Sequence, residues 1–249
     1  MELSKEELQR YSRHLILKNF GKAKQKILKK SSILIVGAGG LGSPVALYLA
    51  AMGVGKIGIC DEDVVSLSNL QRQVIHFTSD IGREKVISAK EKMLSINPNI
   101  EVKVHNQFLN RDTIFDTVRK YDFVIDATDN FEAKFLINEA CIKERVAFSH
   151  AGVLEYVGQT MTIVPDKSAC YACVFDSPPP KESTPTCSTN GLLGVVPGVL
   201  GSIQAAEAVK YLTDTGELLT NRLLICDILN MDFNIVDIQK NPACRICST

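Results

Sequence analysis

The sequence predicts an α/β fold, a mostly parallel sheet flanked by helices, with antiparallel strands added towards the C-terminal end. Three observations carry that expectation. Short β-branched runs, such as residues 33–36 and 123–126, alternate with segments of helix length, the pattern of βαβ units. Gly37, Gly39 and Gly42 follow the first run at G-x-G-x-x-G spacing, which makes the parallel part Rossmann-like. Residues 233–238 alternate apolar and polar side chains, as an antiparallel strand with one wet face does.

Of the 249 residues, 45% are hydrophobic and 22% charged, enough apolar content for a sizeable core in a soluble protein. No linker separates two self-sufficient halves. The expectation is one domain over 1–249, with an N-terminal helical segment over about 3–30, an alternating core over about 32–150 and a C-terminal elaboration over about 151–249. The 28 basic and 28 acidic side chains cancel, so there is no basic excess of the kind a nucleic-acid binder shows. The charged start and the lack of any apolar run of membrane length argue against a signal peptide or a membrane span. Eight cysteines without signs of secretion point to buried thiols, metal ligands or reactive groups in a cytoplasmic enzyme-sized protein.

Residues 3–20 place Leu8, Tyr11, Leu15 and Ile16 near helical spacing, and Ser4 with Glu7 makes a capping-box pattern. Lys18, Lys22, Lys24, Lys26, Lys29 and Lys30 then suit a solvated helix face. Residues 33–36 form the first buried strand and turn into a helix with Pro44 in its first turn. In that turn Gly37 permits the sharp bend, Gly39 a close approach to the backbone, and Gly42 close packing of helix on strand. A second strand over 56–60 ends at Asp61, and the polar stretch 64–72 is a loop. There follow a helix over 83–96 ended by Asn97-Pro98, a strand over 101–104, a short helix over 115–119, a strand over 123–126, a helix over 131–144 and a strand over 146–148. Further on, strands are expected at 159–164, 223–226 and 233–238, with a helix over 198–212 that faces the core through Ile203, Ala206, Val209 and Leu212. Residues 177–191 hold four prolines and almost no large apolar side chain, as a mobile surface loop would. Cys60, Cys141 and Cys226 fit small core residues. His14, His76, His105 and His150 form no spaced pair and are assigned no chemistry.

Asp61 and Asp129 both fall just past the ends of predicted parallel strands, so they are expected to share the crevice at that edge of the sheet. On spacing alone, the glycine loop with Asp61 fits ATP, NAD or a tight turn without a ligand, with Asp61 suited to a ribose hydroxyl. Asp129 suits a hydrated Mg²⁺ or, in Asp-Asn-Phe-Glu, a helix N-cap. Lys85 lies near a helix start, where the macrodipole disfavours a cation by up to about 1 kcal/mol. It is better placed facing a phosphate, although a solvated lysine is the alternative. Arg72 is either a bidentate phosphate fork or a solvated loop arginine. Cys170 with Cys173 and Cys244 with Cys247 are two C-x-x-C pairs. They can close a four-thiolate Zn²⁺ site, which is structural because no coordination position stays open, or act as two redox pairs. Cys187 stands alone in the proline-rich stretch and is either incidental or a thiol able to attack an activated acyl group.

Arg10-Tyr11-Ser12-Arg13-His14, the glycine turn to Pro44, Asp61 through Gln73, Gly82-Arg83-Glu84-Lys85, Asp126-Ala127-Thr128-Asp129-Asn130 and the two cysteine pairs form one long ordered set. Spanning Leu8 to Cys247, the set resembles the ThiF/MoeB/HesA family, bacterial relatives of ubiquitin-activating enzymes. The resemblance implies a homodimeric adenylyltransferase that uses ATP and Mg²⁺. It would adenylate the C-terminal glycine carboxylate of a small ubiquitin-like sulfur-carrier protein, ThiS-like or MoaD-like, in sulfur transfer towards thiamine or molybdopterin. By the same resemblance Gly37, Gly39, Gly40 and Gly42 would face the nucleotide and Asp61 the ribose. Ser68, Asn69, Leu70, Gln71 and Arg72 would belong to the nucleotide site, with Asn69, Arg72 and Lys85 on the phosphates. Asp129, with Asn130 beside it, would hold Mg²⁺. Arg13 would reach the ATP of the other protomer, and the four paired cysteines would bind Zn²⁺. Cys187 matches a crossover-loop cysteine linked to sulfur transfer, although residues 177–191 are richer in proline than that family leads one to expect. Two alternatives remain at this point. An NAD-dependent oxidoreductase accounts for the glycine loop and Asp61 but not for Arg72, Lys85 or the cysteines. A non-catalytic scaffold would bind a ubiquitin-like partner without chemistry.

Overall fold

The computed structural model describes residues 2–107, 109–178 and 187–248. Three short helices, α1 (Lys5–Arg10), α2 (Ser12–Leu15) and α3 (Gly21–Lys30), precede strand β1 (Ser32–Val36). Helix α4 (Gly42–Met52) leads to β2 (Lys56–Cys60), and α5 (Lys85–Ile96) leads to β3 (Glu101–His105). Helix α6 (Ile114–Val118) leads to β4 (Phe123–Asp126), and α7 (Phe131–Lys143) leads to β5 (Ala147–Leu154). Then come β6 (Val157–Ile163), α8 (Tyr171–Val174), α9 (Cys187–Asn190), α10 (Val195–Thr213), β7 (Arg222–Asp227) and β8 (Asp232–Asp237).

Among the described residues the strands make one eight-stranded sheet in the order β3-β2-β1-β4-β5-β6-β7-β8. The first five in that order are parallel, and β6, β7 and β8 are antiparallel, as the sequence predicts. The strand order reverses between β1 and β4, which is the switch point where open α/β sheets hold ligands outside the carboxyl ends of their strands. No helix among the described residues is long and apolar enough to cross a membrane.

Both faces of the central strands are buried, which is why their sequences run apolar without alternation. Ile33 and Ile35 pack with Val45 and Leu49 of α4 and Leu200 of α10 on one face. Leu34, Val36 and Val124 pack with Ile137 and Cys141 of α7 on the other. Cys60, Cys141 and Cys226 are buried, and burial pushes the Cys60 thiol up to about 12. The turn joining β1 to α4 depends on two glycines. Gly37 has φ +104°, a left-handed value that favours glycine, and a Cβ on Gly42 would stand 1.9 Å from the Gly37 carbonyl oxygen.

The structure departs from the sequence reading in several places. The expected helix over 3–20 is broken in two at Tyr11, which turns inward so that its hydroxyl accepts from the buried Asn97 side chain at 2.8 Å. The Ser4–Glu7 capping box is present. The lysine run is only partly solvated, because the Lys29 ammonium lies 2.6 Å from the buried Glu7 carboxylate. Strand β5 runs six residues past the predicted end at Phe148, because pairing with β6 in a hairpin extends it through Ser149-His150-Ala151-Gly152, a stretch of low β-propensity. Helix α10 faces the core through Val196, Leu200, Ala205, Ala208 and Val209, whereas Ala206 is exposed. Strand β8 is antiparallel but exposed along its whole length, with Phe233 and Ile235 uncovered, and it forms the edge of the sheet among the described residues. Of the proline-rich segment, residues 179–186 lie outside the described residues.

Gly42→Ala is expected to lower unfolding free energy by about 1–3 kcal/mol, the range for overpacking. Equilibrium urea denaturation measures this, and an unchanged midpoint would mean that the turn is not the constraint described here.

Candidate functional site

A cleft of about 680 Å³ opens at the switch point, reached from β1 by Gly37, Gly39 and Gly40 and from β2 by Asp61. Arg72 and Lys85 line one side of it, and Asp129 and Asn130 line the start of α7. The middle of the glycine turn is held from two directions. The Asp61 carboxylate accepts from the Ala38 N–H at 2.8 Å, and the His76 ring meets the Ala38 carbonyl at 3.0 Å. A carbonyl only accepts, so His76 Nε2 donates to it and Nδ1 accepts from the Ser88 hydroxyl at 2.9 Å. Burial pushes the His76 pKa down, in keeping with this neutral tautomer.

The cations are placed by the segment after β2. Lys85 opens α5 and is buried, its ammonium 2.7 Å from Asp63 and 3.9 Å from Asp61. Its backbone N–H donates to the Asp63 carbonyl, so one loop holds both ends of the residue. Arg72 donates to the Ser68 carbonyl at 3.1 Å, and the stem of its side chain lies beside Gly40. Asn69 does not line the cleft. Its Oδ1 accepts from the Ser66 N–H at 3.0 Å and stabilises the 3₁₀ turn Leu67–Asn69 from which Arg72 emerges. Ser68, Leu70 and Gln71 also lie outside the cleft lining, Gln71 being packed against Gly194 ahead of α10. At the start of α7 it is Asn130 that caps the helix, accepting from the Ala133 N–H at 2.8 Å, while Asp129 is exposed on the cleft.

A buried charge network that sequence reasoning missed lies under the cleft. Asp126, at the end of β4, is registered with His150 on β5, and His150 Nδ1 lies 2.9 Å from the Asp126 carboxylate. Lys134 on α7 donates to the Thr128 and Ala151 carbonyls at 2.7 Å each and lies 3.3 Å from Asp126. Burial alone would raise the Asp126 carboxyl, but the Lys134 charge and the His150 hydrogen bond overcome it and hold the group at about 2. Burial and the Lys134 charge push His150 down, so its neutral ring donates from Nδ1 to the carboxylate. The network ties the loop carrying Asp129 to the middle of β5. A strand-end Asp with a lysine eight residues on was its only trace in the sequence. Gln73 was missed too; it lines the cleft, and its buried Oε1 has no partner among the described residues.

The four paired cysteines converge on one point, although about 70 residues separate the pairs. Their sulfurs all lie within 4.8 Å of one another, with Cys170 to Cys244 at 3.6 Å and Cys173 to Cys247 at 3.4 Å. Disulfide bonds need about 2 Å. Zn–S bonds of about 2.3 Å in a tetrahedron put sulfurs roughly 3.8 Å apart, so the donor set fits Zn²⁺. Without a cation, burial and then the neighbouring thiols push Cys170 up, as expected of sulfurs crowded together without a neutralising charge.

The ThiF family profile matches residues 11–246. The chain belongs to the ThiF family. Among ThiF relatives it is 42% identical over 247 residues to the SAMP-activating enzyme E1 of Haloferax volcanii, covering 99% of this chain and 91% of that protein. It is 38% identical over 252 residues to the sulfur carrier protein adenylyltransferase of Thermus thermophilus, covering 99% and 93%. Identity to the maize adenylyltransferase and sulfurtransferase MOCS3-1 is 44% over 239 residues, covering 96% of this chain but about half, 51%, of that relative. The fold is also that of E. coli MccB, crystallised with MccA-N7isoASN, at a TM-score of 0.86 and 24% identity over 97% of this chain and 75% of MccB.

In this ThiF chain the sequence-predicted residues therefore separate into groups. Gly37, Gly39, Gly40, Asp61, Arg72, Lys85, Asp129 and Asn130 meet in one cleft. Gly42 shapes the turn behind it. Arg13, on α2, is exposed and does not line the cleft. Cys187 opens α9, and its side chain lies outside the described residues.

The Asp126 carboxyl sits below its unfolded value of about 3.9, so its stabilising contribution is present above about pH 4 and is lost as pH falls through about 2. Asp126→Asn is expected to flatten acid unfolding in that window, followed by far-UV circular dichroism. Lys134→Met leaves a buried carboxylate unpaired and should cost about 3–5 kcal/mol at neutral pH.

Proposed function

We propose that this protein is an ATP-dependent adenylyltransferase that activates the C-terminal glycine carboxylate of a small ubiquitin-like sulfur-carrier protein. The observation that carries the proposal is the cleft. In a ThiF-family chain, it sets a glycine turn and a ribose-suited Asp61 beside two cations and an exposed carboxylate. The names of the Thermus and maize relatives, both adenylyltransferases, support it. An NAD-dependent oxidoreductase would leave Arg72, Lys85 and the family match unexplained.

In the proposed reaction a carboxylate oxygen bonds to the α-phosphorus of ATP, and the bond from that phosphorus to the bridging oxygen of the β-phosphate breaks. Pyrophosphate leaves with the electron pair, and no proton moves. The transition state spreads negative charge over phosphate oxygens, and Arg72 and Lys85 stabilise it from the cleft wall. Lys85 is pre-positioned by Asp63, so little reorganisation accompanies the reaction. Asp61 orients the ribose. Asp129, exposed and not used as the helix cap, would hold Mg²⁺ together with phosphate oxygens, and that ion supplies charge neutralisation there. Asp126 is taken up by Lys134 and His150 and is not available for a metal. Cys170, Cys173, Cys244 and Cys247 would hold Zn²⁺ as a structural cross-link between residues 244–247 and the start of α8.

The protein acts as a homodimer in this account, with Arg13 serving the ATP of the other protomer. Arg13 is exposed outside its own cleft, and the neighbouring Ile16 and Leu17 are 75% and 54% exposed, an apolar edge that a partner would cover. Residues 1–249 act as one adenylation domain in the cytoplasm, where reduced thiols persist. The activated acyl group feeds sulfur transfer towards thiamine or molybdopterin, with Cys187 as the thiol that could attack it.

ATP–pyrophosphate exchange with purified ThiS-like and MoaD-like carriers tests this reading. Carrier-dependent exchange is expected, and background exchange with every carrier from folded, zinc-loaded protein would overturn it. Asp129→Ala should reduce exchange roughly 10²–10³-fold with little change in melting temperature. Cys170→Ser should instead lower the melting temperature and release zinc, measured by elemental analysis; the reverse pattern would exchange the two assignments.

A further inference from the structure

Asn138 is fully buried on α7, among the apolar side chains of Ile137, Ala140 and Cys141. A carboxamide at that depth is costly unless both of its ends are hydrogen-bonded. Here both ends are used. Its Oδ1 accepts from the Tyr171 N–H at 2.9 Å, and its Nδ2 donates to Cys170 Sγ at 3.7 Å. A backbone N–H only donates, which fixes the amide with its oxygen towards α8 and its nitrogen towards the sulfur. Tyr171 is the first residue of α8, so its N–H is one of the donors that a helix start leaves unpaired. An acceptor alone would satisfy it. The donor half of Asn138 is not needed for that cap, and it is aimed at one of the four clustered cysteines. A neutral thiol is a weak acceptor, whereas a metal-bound thiolate is a strong one. Donors of this kind around a metal site orient the ligand and raise its affinity for the ion.

The same face of α7 reaches the cleft. Lys134 lies one turn before Asn138, and side chains four apart on a helix are neighbours on its surface. Lys134 holds the Thr128 carbonyl, next to Asp129, and Asn138 holds Cys170. A second strut runs beside the first. The Tyr171 ring packs on His150 and on Phe135, with centroids 4.5 and 4.9 Å apart, and His150 is bound to Asp126. Helix α7 thus carries the sulfur contact at one point and the Asp129 loop at another.

We propose that Asn138 is a positioning residue that holds the Cys170 sulfur in the metal centre and, through α7, couples zinc occupancy to the binding of ATP with Mg²⁺ in the cleft. The proposal rests on the zinc and nucleotide assignments made above. Zinc at the cysteines fixes the start of α8 against α7, and the nucleotide fixes the Asp129 loop at the other end of the same helix. Each ligand orders a segment that the other must otherwise order, so the coupling is favourable. It is also reciprocal: nucleotide tightens zinc by the factor by which zinc tightens nucleotide.

The test titrates zinc-loaded full-length protein with a chromophoric chelator, with and without saturating ATP and Mg²⁺. Wild type should hold zinc about 5–10-fold more tightly when nucleotide is bound. Asn138→Leu, close in shape, should weaken zinc about 10–100-fold and reduce the nucleotide effect to within about twofold. Asn138→Asp keeps an acceptor for the Tyr171 N–H and withdraws the donor, so it separates the sulfur contact from the cap. It should lose zinc affinity at least as far, and it decides alone if Asn138→Leu fails to fold by circular dichroism. In cobalt-substituted protein the thiolate-to-cobalt charge-transfer band should move to lower energy in both variants, because a hydrogen bond stabilises the sulfur lone pair. A residue that only caps α8 would leave that band in place. Unchanged zinc affinity in Asn138→Asp, an unmoved band, or a nucleotide effect that is absent in wild type or survives in the variants would overturn the proposal. Wild-type protein that holds no zinc by elemental analysis, or binds no ATP by calorimetry, would overturn that underlying assignment and the coupling with it.

Discussion

The carbonyl of Gly37 lies where a Cβ of residue 42 would have to be, and most of the structure follows from that contact. It forces the chain to leave β1 and enter α4 within one tight turn, which places the start of α4 over the carboxyl end of the sheet. The Ala38 peptide is then pinned by Asp61 on one side and His76 on the other. Asp61 directly follows β2, and His76 belongs to the segment that delivers Arg72 and Lys85. A steric limit at one glycine pair thereby aligns three separate stretches around a single opening. The cations need no helix dipole to hold them there, because Asp63 offsets the unfavourable position of Lys85 at the start of α5.

The other wall of the cleft depends on charge. Asp126, Lys134 and His150 lie together, buried between β4, β5 and α7. Burying such a group against its partners adds little net stability, because desolvation cancels much of the attraction, but losing one partner is costly. The arrangement is better understood as positioning. Lys134 spans from the Thr128 carbonyl to the Ala151 carbonyl, so the Asp129 loop and the β5–β6 hairpin keep a fixed separation. On the outer face of the same hairpin side, Tyr171 packs on His150 with ring centroids 4.5 Å apart, directly after the first cysteine of the sulfur cluster. A metal at the cysteines would therefore brace the cleft as well as the C-terminal end.

The central parallel strands β1, β2 and β4 were legible because each is a short apolar run ended by a turn signal. Residues 56–60 and 123–126 have in the structure the limits the sequence predicts. What failed was long-range. Strand β5 continues because β6 pairs with it, and Ser149-His150-Ala151-Gly152 carries no local strand signal. Tyr11 breaks the first helix because the side chain of Asn97, far along the chain, donates to its hydroxyl. Strand β8 alternates as though one face were covered, but it lies at the edge of the sheet with both faces exposed. In the cleft, residue type and spacing picked out groups at strand ends and helix starts that the fold brings to one opening. His76, His150 and Lys134 were invisible because their roles come from burial and pairing, which no local pattern encodes. The cysteine pairs were recognisable as pairs, but only the fold shows them sharing one centre.

The central claim is that this cleft joins a nucleotide to a carboxylate. Hydroxylamine trapping tests it most directly. Zinc-loaded protein, ATP with Mg²⁺ and a ubiquitin-like carrier are mixed with hydroxylamine, and the carrier is then analysed by mass spectrometry. The account predicts a hydroxamate on the C-terminal glycine of the carrier that requires ATP and disappears in Asp129→Ala. A carrier of unchanged mass, or a hydroxamate formed equally well without ATP, would contradict it.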